Sequence, residues 1–153
     1  AVPPTAVPPT AVPPTPVEVC PMLNASYAAR VIQLINAERA KVGLSALSAQ
    51  EQIYSAAQLH SSDMACNNYF SHTGLDGSTV GERTQRQGYS WSSVGENIAA
   101  DYSSPESVVQ GWMNSPGHKA NILGASYTEI GIGYAFGNAS RYGSYWTAVF
   151  GSP

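Results

Sequence analysis

Two histidines and a glutamate carry most of the chemistry this chain can offer. His72 ends the run Asn68-Tyr69-Phe70-Ser71-His72, Glu96 lies in Gly95-Glu96-Asn97-Ile98-Ala99, and His118 follows Ser115-Pro116-Gly117 within residues 112–123. Neutral imidazoles and a carboxylate are good ligands for a borderline metal such as zinc. The same trio suits general acid–base work, with the carboxylate orienting or deprotonating a ring. A Pro-Gly break constrains the backbone and aims the side chain that follows it. Glu96 likewise follows a glycine, and His72 follows the bulky Phe70 by two residues. The expectation is therefore one cleft containing His72, Glu96 and His118, with Ser115 at its margin. The plainer alternative is structural: His118 caps a turn, His72 bonds a loop carbonyl, and Glu96 accepts backbone donors.

Several other chemistries lack their parts. There is no His-Glu-x-x-His run, no Gly-x-Ser-x-Gly elbow and no phosphate loop. Cys20 and Cys66 are an even pair without zinc-knuckle spacing, and Cys66 precedes Asn67-Asn68 with no base nearby. A Cys20–Cys66 disulfide in an oxidising compartment is the expected use, with two buried free thiols as the alternative. The third histidine, His60, sits in a helical stripe without a partner motif and reads as a partly buried packing residue.

The elements that must position these groups follow from periodicity. Val31, Leu34 and Ile35 predict a helix over residues 26–42, with Asn24 or Ser26 as its cap and Gly43 as its stop. Leu44 and Leu47 should return to the core. Ser48 and Glu51 suggest a capping box for a second helix over 48–66, whose inner face carries Ile53, Ala57, His60 and Met64. Residues 67–77 form the loop that bears His72. A short helix over 81–87 ends at Gly88, and 94–99 is a candidate strand. Ser104-Pro105-Glu106 starts a helix that runs to about 114, with Val108, Val109 and Trp112 inward. Ser115-Pro116-Gly117 breaks it, and Ala120, Ile122 and Leu123 should return inside. Residues 129–136 alternate strictly: Ile130, Ile132, Tyr134 and Phe136 on one face, Gly131, Gly133 and Ala135 on the other. Small residues on one strand face admit a closely packed helix or a ligand. Residues 145–150 return as the last strand. The pattern is an α+β domain with helices packed on a small sheet.

Composition sets the surroundings. The 153 residues suit one domain plus an appendage, 43% are apolar, and only 11% are charged, against about 25% in a usual soluble domain. Net charge is −3, and the absence of a basic stripe argues against nucleic acid and against an anionic membrane surface. No run approaches the roughly 18 apolar residues of a membrane span. The first fifteen residues are Ala-Val-Pro-Pro-Thr three times over, and Pro16 follows. Such a tract forms neither helix nor sheet and reads as a polyproline-like or disordered spacer, on the order of 45 Å long, that adds no stability. A ligand for a proline-binding module is the sharper alternative. The chain starts inside this repeat without an initiator Met, so a mature or trimmed form is expected. The domain itself is taken as residues 17–153.

The three segments together carry a resemblance. Asn-Tyr-Phe-Ser-His at 68–72, Gly-Glu-Asn-Ile-Ala at 95–99 and Trp-Met-Asn-Ser-Pro-Gly-His-Lys-Ala-Asn-Ile-Leu at 112–123 resemble the signature segments of the CAP superfamily of cysteine-rich secretory, antigen 5 and pathogenesis-related proteins. Ile35-Asn36-Ala37-Glu38-Arg39 and Ile130-Gly131-Ile132-Gly133 also fit. The resemblance covers residues 26–151. It implies an α-β-α sandwich around a small, mainly antiparallel sheet, an extracellular or cell-envelope setting, and a cavity lined by histidines and acidic residues. Where the eukaryotic pattern has a second Glu this chain has Ser115, and the Gly-His-aromatic-Thr-Gln run is absent. The short Ser-Pro-Gly-His form resembles bacterial members, which weighs against a four-residue acidic cavity and against eukaryotic sterol binding.

Three functions follow as expectations. The first is a secreted, monomeric module whose cleft of His72, Glu96, Ser115 and His118 binds a lipid, a cell-envelope component or another small ligand. His72, His118 and Glu96 would hold zinc or another divalent cation weakly. The second is a metal-assisted hydrolase using the same three residues, although no second base or nucleophile is evident. The third is an adhesion or interaction domain held off a surface by its stalk. A non-enzymatic role is favoured.

Overall fold

The computed structural model describes residues 3–5 and 20–153. Most of the Ala-Val-Pro-Pro-Thr tract, the spacer reading and the boundary at residue 17 therefore lie outside the described residues; residues 3–5 are exposed and in no regular element.

The first helix, α1 (Ala25–Lys41), starts where Asn24 accepts from the Tyr27 amide, and Gly43 follows its C-cap at φ +78°. A short strand, β1 (Ser48–Ala49), comes next. Helix α2 (Glu51–Asn67) is capped by Gln50, whose side chain accepts from the Ile53 amide. The expected Ser48 cap is thus wrong. Ser48 and Ala49 are instead held in the sheet, since the Ser48 and Gln50 amides donate to the Thr128 and Ile130 carbonyls. Helix α3 (Val80–Arg86), capped by Thr79, precedes strand β2 (Ser93–Ala100). Helix α4 (Pro105–Met113) has a Ser104–Ser107 capping box. Ser115-Pro116-Gly117 does end α4, but it also opens a further helix, α5 (Pro116–Ile122), with Pro116 in its first turn. On this helix Ile122 is buried and Leu123 half-buried just beyond it, while Ala120 is exposed, contrary to expectation. Strands β3 (Glu129–Phe136) and β4 (Ser144–Ser152) close the chain as an antiparallel hairpin.

The sheet order is β1-β3-β4-β2; β1 runs parallel to β3 and the other pairings are antiparallel. Helices cover both faces, so the chain is an α-β-α sandwich. One face of β3 and β4 presents Ile130, Ile132, Trp146, Ala148 and Phe150 to Val31 and Ile35 of α1, Val108, Val109 and Trp112 of α4, and Ile122 of α5. The other face presents Ala135, Tyr145 and Val149 to Ile53, Ala57, Met64 and Ala65 of α2. The glycine face of β3 is explained by this second layer. A Cβ on Gly131 would lie 2.5 Å from the Ile53 carbonyl carbon, and one on Gly133 2.5 Å from that of Ala57. Backbone sits against backbone there, so the small residues serve helix packing rather than a ligand.

Two tethers hold the layers. Arg39, 2% exposed, donates to the carbonyls of Ser45, Ile122 and Gly124 and so ties α1 to the end of α5. Burial lowers its pKa, and the carbonyl oxygens around it stabilise the charge in place of a carboxylate. Cys20 and Cys66 form a disulfide across 46 residues, as expected.

Two changes test this packing. Gly133→Ala should lower stability by about 1–3 kcal/mol in urea unfolding, because neither backbone has a flexible end that can yield. Replacing both cysteines by serine should lower it by up to about 4 kcal/mol, the closure entropy of a loop of this length; an unchanged transition midpoint would contradict that account.

Candidate functional site

Glu96 lies in the middle of β2 with its side chain on the α2 and α3 face, opposite Val149 in the register. That side chain is 1% exposed and both of its oxygens are engaged. Nδ1 of His72 bonds Oε1 at 2.8 Å, and the Arg83 guanidinium donates to Oε2 at 2.7 Å. Arg83 also donates to the carbonyls of His72 and Ser78. One arginine therefore neutralises the buried carboxylate and pins the backbone of the histidine beside it. With Nδ1 turned to Glu96, His72 has Nε2 left for the solvent side, and its side chain is 58% exposed.

His118 reaches the same region from the other layer. It lies in α5, because the Ser115-Pro116-Gly117 break that ends α4 also opens a further helix. Two asparagines seat that helix on β2. Asn97, fully buried, donates to the His118 carbonyl at 3.0 Å, and Asn121 donates to Asn97 Oδ1 and to the Glu96 carbonyl. Desolvation lowers the His118 pKa, and the nearby His72 lowers it further. His118 is thus neutral at pH 7 and keeps a lone pair. Ser115 is the N-cap residue of α5, yet its side chain makes no capping hydrogen bond.

His60 does more than fill space. It is 2% exposed, and Nε2 lies 2.8 Å from the Ser71 carbonyl. A carbonyl can only accept, so Nε2 carries the proton and Nδ1 is a buried acceptor without a partner among the described residues. The ring holds the loop residue that immediately precedes His72. Desolvation is the main cause that lowers its pKa; Glu96 and Asp63 oppose this, and Arg83 adds to it.

Beside His118 lies an apolar pocket of about 330 Å³, lined by Phe70, Ile98, Trp112 and Tyr142 among others. Phe70 and Tyr142 stand edge to face at its mouth, with ring centroids 6.3 Å apart, and both are partly exposed. The indole of Trp112 is fixed by its bond to the Ile98 carbonyl.

The structure therefore brings His72 and Glu96 into direct contact and sets His118 near enough to feel the charge of His72, which helps lower the His118 pKa. Among the described residues, no three His, Cys, Asp or Glu side chains are grouped to hold a metal ion. Arg83, Asn97, Asn121 and the role of His60 were not foreseen. Arg83 had a signal: Val80, Arg83 and Thr84 share one helical face, and an arginine on an inward stripe asks for a carboxylate partner.

Comparison with known proteins agrees with this architecture. Residues 32–150 match the model of the Cysteine-rich secretory protein family, CAP, and the chain belongs to that family. It is 40% identical over 126 residues to the uncharacterized protein YkwD of Bacillus subtilis, covering 82% of this chain and 47% of that one. It is 36% identical over 104 residues to the uncharacterized membrane protein YlbC of the same organism, covering 68% and 30%. The chain thus spans less than half the length of either relative. Among solved structures, an extracellular protein containing an SCP domain from Bacillus anthracis superposes with a TM-score of 0.76 at 32% identity, over 94% of this chain and 45% of that one. An outer surface protein of Borrelia burgdorferi shares the fold, with a TM-score of 0.78 at 21% identity over 86% and 96%. The short bacterial form expected from the sequence is thus supported. No helix among the described residues is long and apolar enough to cross a membrane.

A pH titration tests the reading of His60 and His118. Both pKa values are lowered on folding, so the unfolded chain binds more protons below about pH 6.5. Their contribution to stability is complete above that pH and is lost as pH falls from there toward the folded pKa values. Gln in place of His60 keeps a donor for the Ser71 carbonyl without the titration. The fall in Tm between pH 7.5 and pH 5.5 should be smaller in His60→Gln than in wild type; equal falls would remove His60 from the account.

Proposed function

We propose that this domain binds a small amphipathic ligand, a lipid or a cell-envelope component, with its polar end at His72 and His118. One observation carries the reading: the apolar pocket against Trp112 and Ile98 ends on His118, itself a neighbour of the His72–Glu96 pair. A ligand there would bury an apolar body against aromatic side chains and keep a polar group beside the two imidazoles. The setting that fits is outside the cell. The Cys20–Cys66 disulfide supports it, as do the extracellular Bacillus anthracis protein and the Borrelia outer surface protein among the structural neighbours. We expect the domain to act as a monomer.

A divalent ion is a second occupant of the same cleft. His72 Nε2 and the His118 ring are its donors. Glu96 orients His72 through Nδ1 in the manner of a carboxylate behind a ligating histidine, and with both oxygens engaged it is not an open third ligand. Two imidazoles alone hold zinc weakly, and more weakly still below roughly pH 6, where imidazoles protonate. A bound ion would supply Lewis acidity for hydrolysis, the competing enzymatic reading. What disfavours that reading is that Glu96 is committed to Arg83 and His72 and cannot also serve as a free base.

Calorimetric titration with zinc at pH 7.5, repeated on His72→Ala and His118→Ala, tests the metal; both variants should lose the heat seen in wild type. Native mass spectrometry of protein from a lipid-containing source tests the ligand. A bound amphiphile that is lost in Trp112→Ala is the expected result. Zinc-dependent hydrolysis with no bound amphiphile would instead favour the enzyme.

A further inference from the structure

A second cavity, of about 260 Å³, adjoins the pocket that ends on His118 and shares Tyr102 and Tyr142 with it. Tyr134 and Phe136 complete its aromatic lining, and Asp101 stands at the same cavity. Tyr134 and Phe136 come from the end of β3, Tyr142 from the turn between β3 and β4, and Asp101 and Tyr102 from the segment that joins β2 to α4. Four aromatic rings and a carboxylate from three parts of the chain therefore meet at one end of the sheet. The lining is fixed by bonds of its own. The Tyr102 carbonyl accepts from the Ser144 hydroxyl at 2.8 Å and from the Trp146 indole at 3.0 Å. Tyr134 packs on Trp146 and Tyr27, with ring centroids 4.6 and 5.1 Å away. The Asp101 amide donates to the Ser144 carbonyl and holds the residue at φ +69°.

Charge points to the occupant. Asp101 is exposed and makes no ion pair among the described residues. Aromatic faces carry partial negative charge and attract a cation within about 6 Å of the ring centroid. One of these rings already carries a cation, since the Arg141 guanidinium lies 5.2 Å from the Tyr142 centroid. A compact, strongly hydrated ammonium would lose its water on entering such a cavity. An alkylated ammonium spreads its charge over methyl groups, needs no hydrogen-bond acceptor and suits aromatic walls. An anion would meet Asp101.

We propose that this cavity binds a quaternary ammonium group, its methyl groups against Tyr102, Tyr134, Phe136 and Tyr142 and its charge balanced by Asp101. The site is separate from the amphiphile cleft, and neither reading requires the other. A free cation such as choline and the phosphocholine head of a lipid present the same group and differ in the phosphate. Arg141, without a carboxylate partner among the described residues, is the donor that phosphate would meet.

The test titrates choline, phosphocholine and neopentyl alcohol into the full chain at pH 7.5, followed by NMR. The tert-butyl group of the alcohol has the shape of trimethylammonium without its charge. Choline should bind at least about tenfold more tightly than the alcohol. Asp101→Asn keeps a residue type that accepts a positive φ and removes the charge. It should weaken choline about fivefold, the worth of a unit charge at contact distance in water, and leave the alcohol unchanged. Tyr142→Leu should weaken choline, while Tyr142→Phe, which keeps the ring, should bind it as wild type does. Phosphocholine binding more tightly than choline, with the gain lost in Arg141→Gln, supports a lipid headgroup; phosphocholine binding no better than choline supports a free cation. Absence of choline binding, equal binding of choline and the alcohol, or undiminished choline binding in Asp101→Asn overturns the assignment. The comparison of choline with the alcohol in wild type decides the matter if Asp101→Asn does not fold. None of these outcomes bears on the amphiphile, which Trp112→Ala tests.

Discussion

The buried charge of Glu96 is the constraint on which the rest of the site depends. A carboxylate with a side chain 1% exposed is tolerable only when its charge is matched and its oxygens are hydrogen-bonded. Arg83 and His72 meet that demand. In doing so they attach α3 and the long loop after α2 to the centre of β2. The arginine's further bonds to the His72 and Ser78 carbonyls, and the bond from His60 to the Ser71 carbonyl, fix the loop backbone on which His72 rides. Removing any one partner leaves another buried polar group unpaired, so these residues stand or fall as a unit.

The site lies where two layers of the sandwich meet at a sheet edge. His72 and Glu96 belong to the α2 and α3 side, and His118 comes round from α5 on the other. This arrangement needs β2 to be an edge strand, and it needs α5 held tightly along that edge. The Asn97–Asn121 pair and the Trp112 indole do this by bonding the outward-facing edge of β2. The same bonds protect an edge that would otherwise be a template for association with another chain. Arg39 clamps the far end of α5 from α1, so the short helix is held at both ends by buried polar contacts.

On the same face as Glu96, further across the sheet, β3 and α2 are organised by closeness rather than charge. Gly131 and Gly133 let α2 approach β3 backbone to backbone, which puts His60 deep in the α2 layer and behind the His72 loop. Sequence periodicity placed His60 correctly on the inner stripe of α2, but its bond is to Ser71, eleven residues further along the chain and beyond the end of that helix. That contact makes a packing histidine also a support for the site.

The sequence by itself determined the elements that depend on local rules. Helical spacing in α1 and α2, alternation in β3, the Ser104 cap with Pro105, and glycine stops at Gly43 and Gly88 are all short-range and legible. It also singled out His72, Glu96 and His118, because reactive side chains next to backbone-fixing residues stand out without a structure. The tertiary structure alone decided how those groups are used. Whether Glu96 faces a metal, a ligand or an arginine depends on which residue α3 delivers to its second oxygen, and on the register that points it at that layer. The short strand β1 and the Gln50 cap were hidden for the same reason. Two residues extend only because β3 offers them partners, an energy that no local propensity contains.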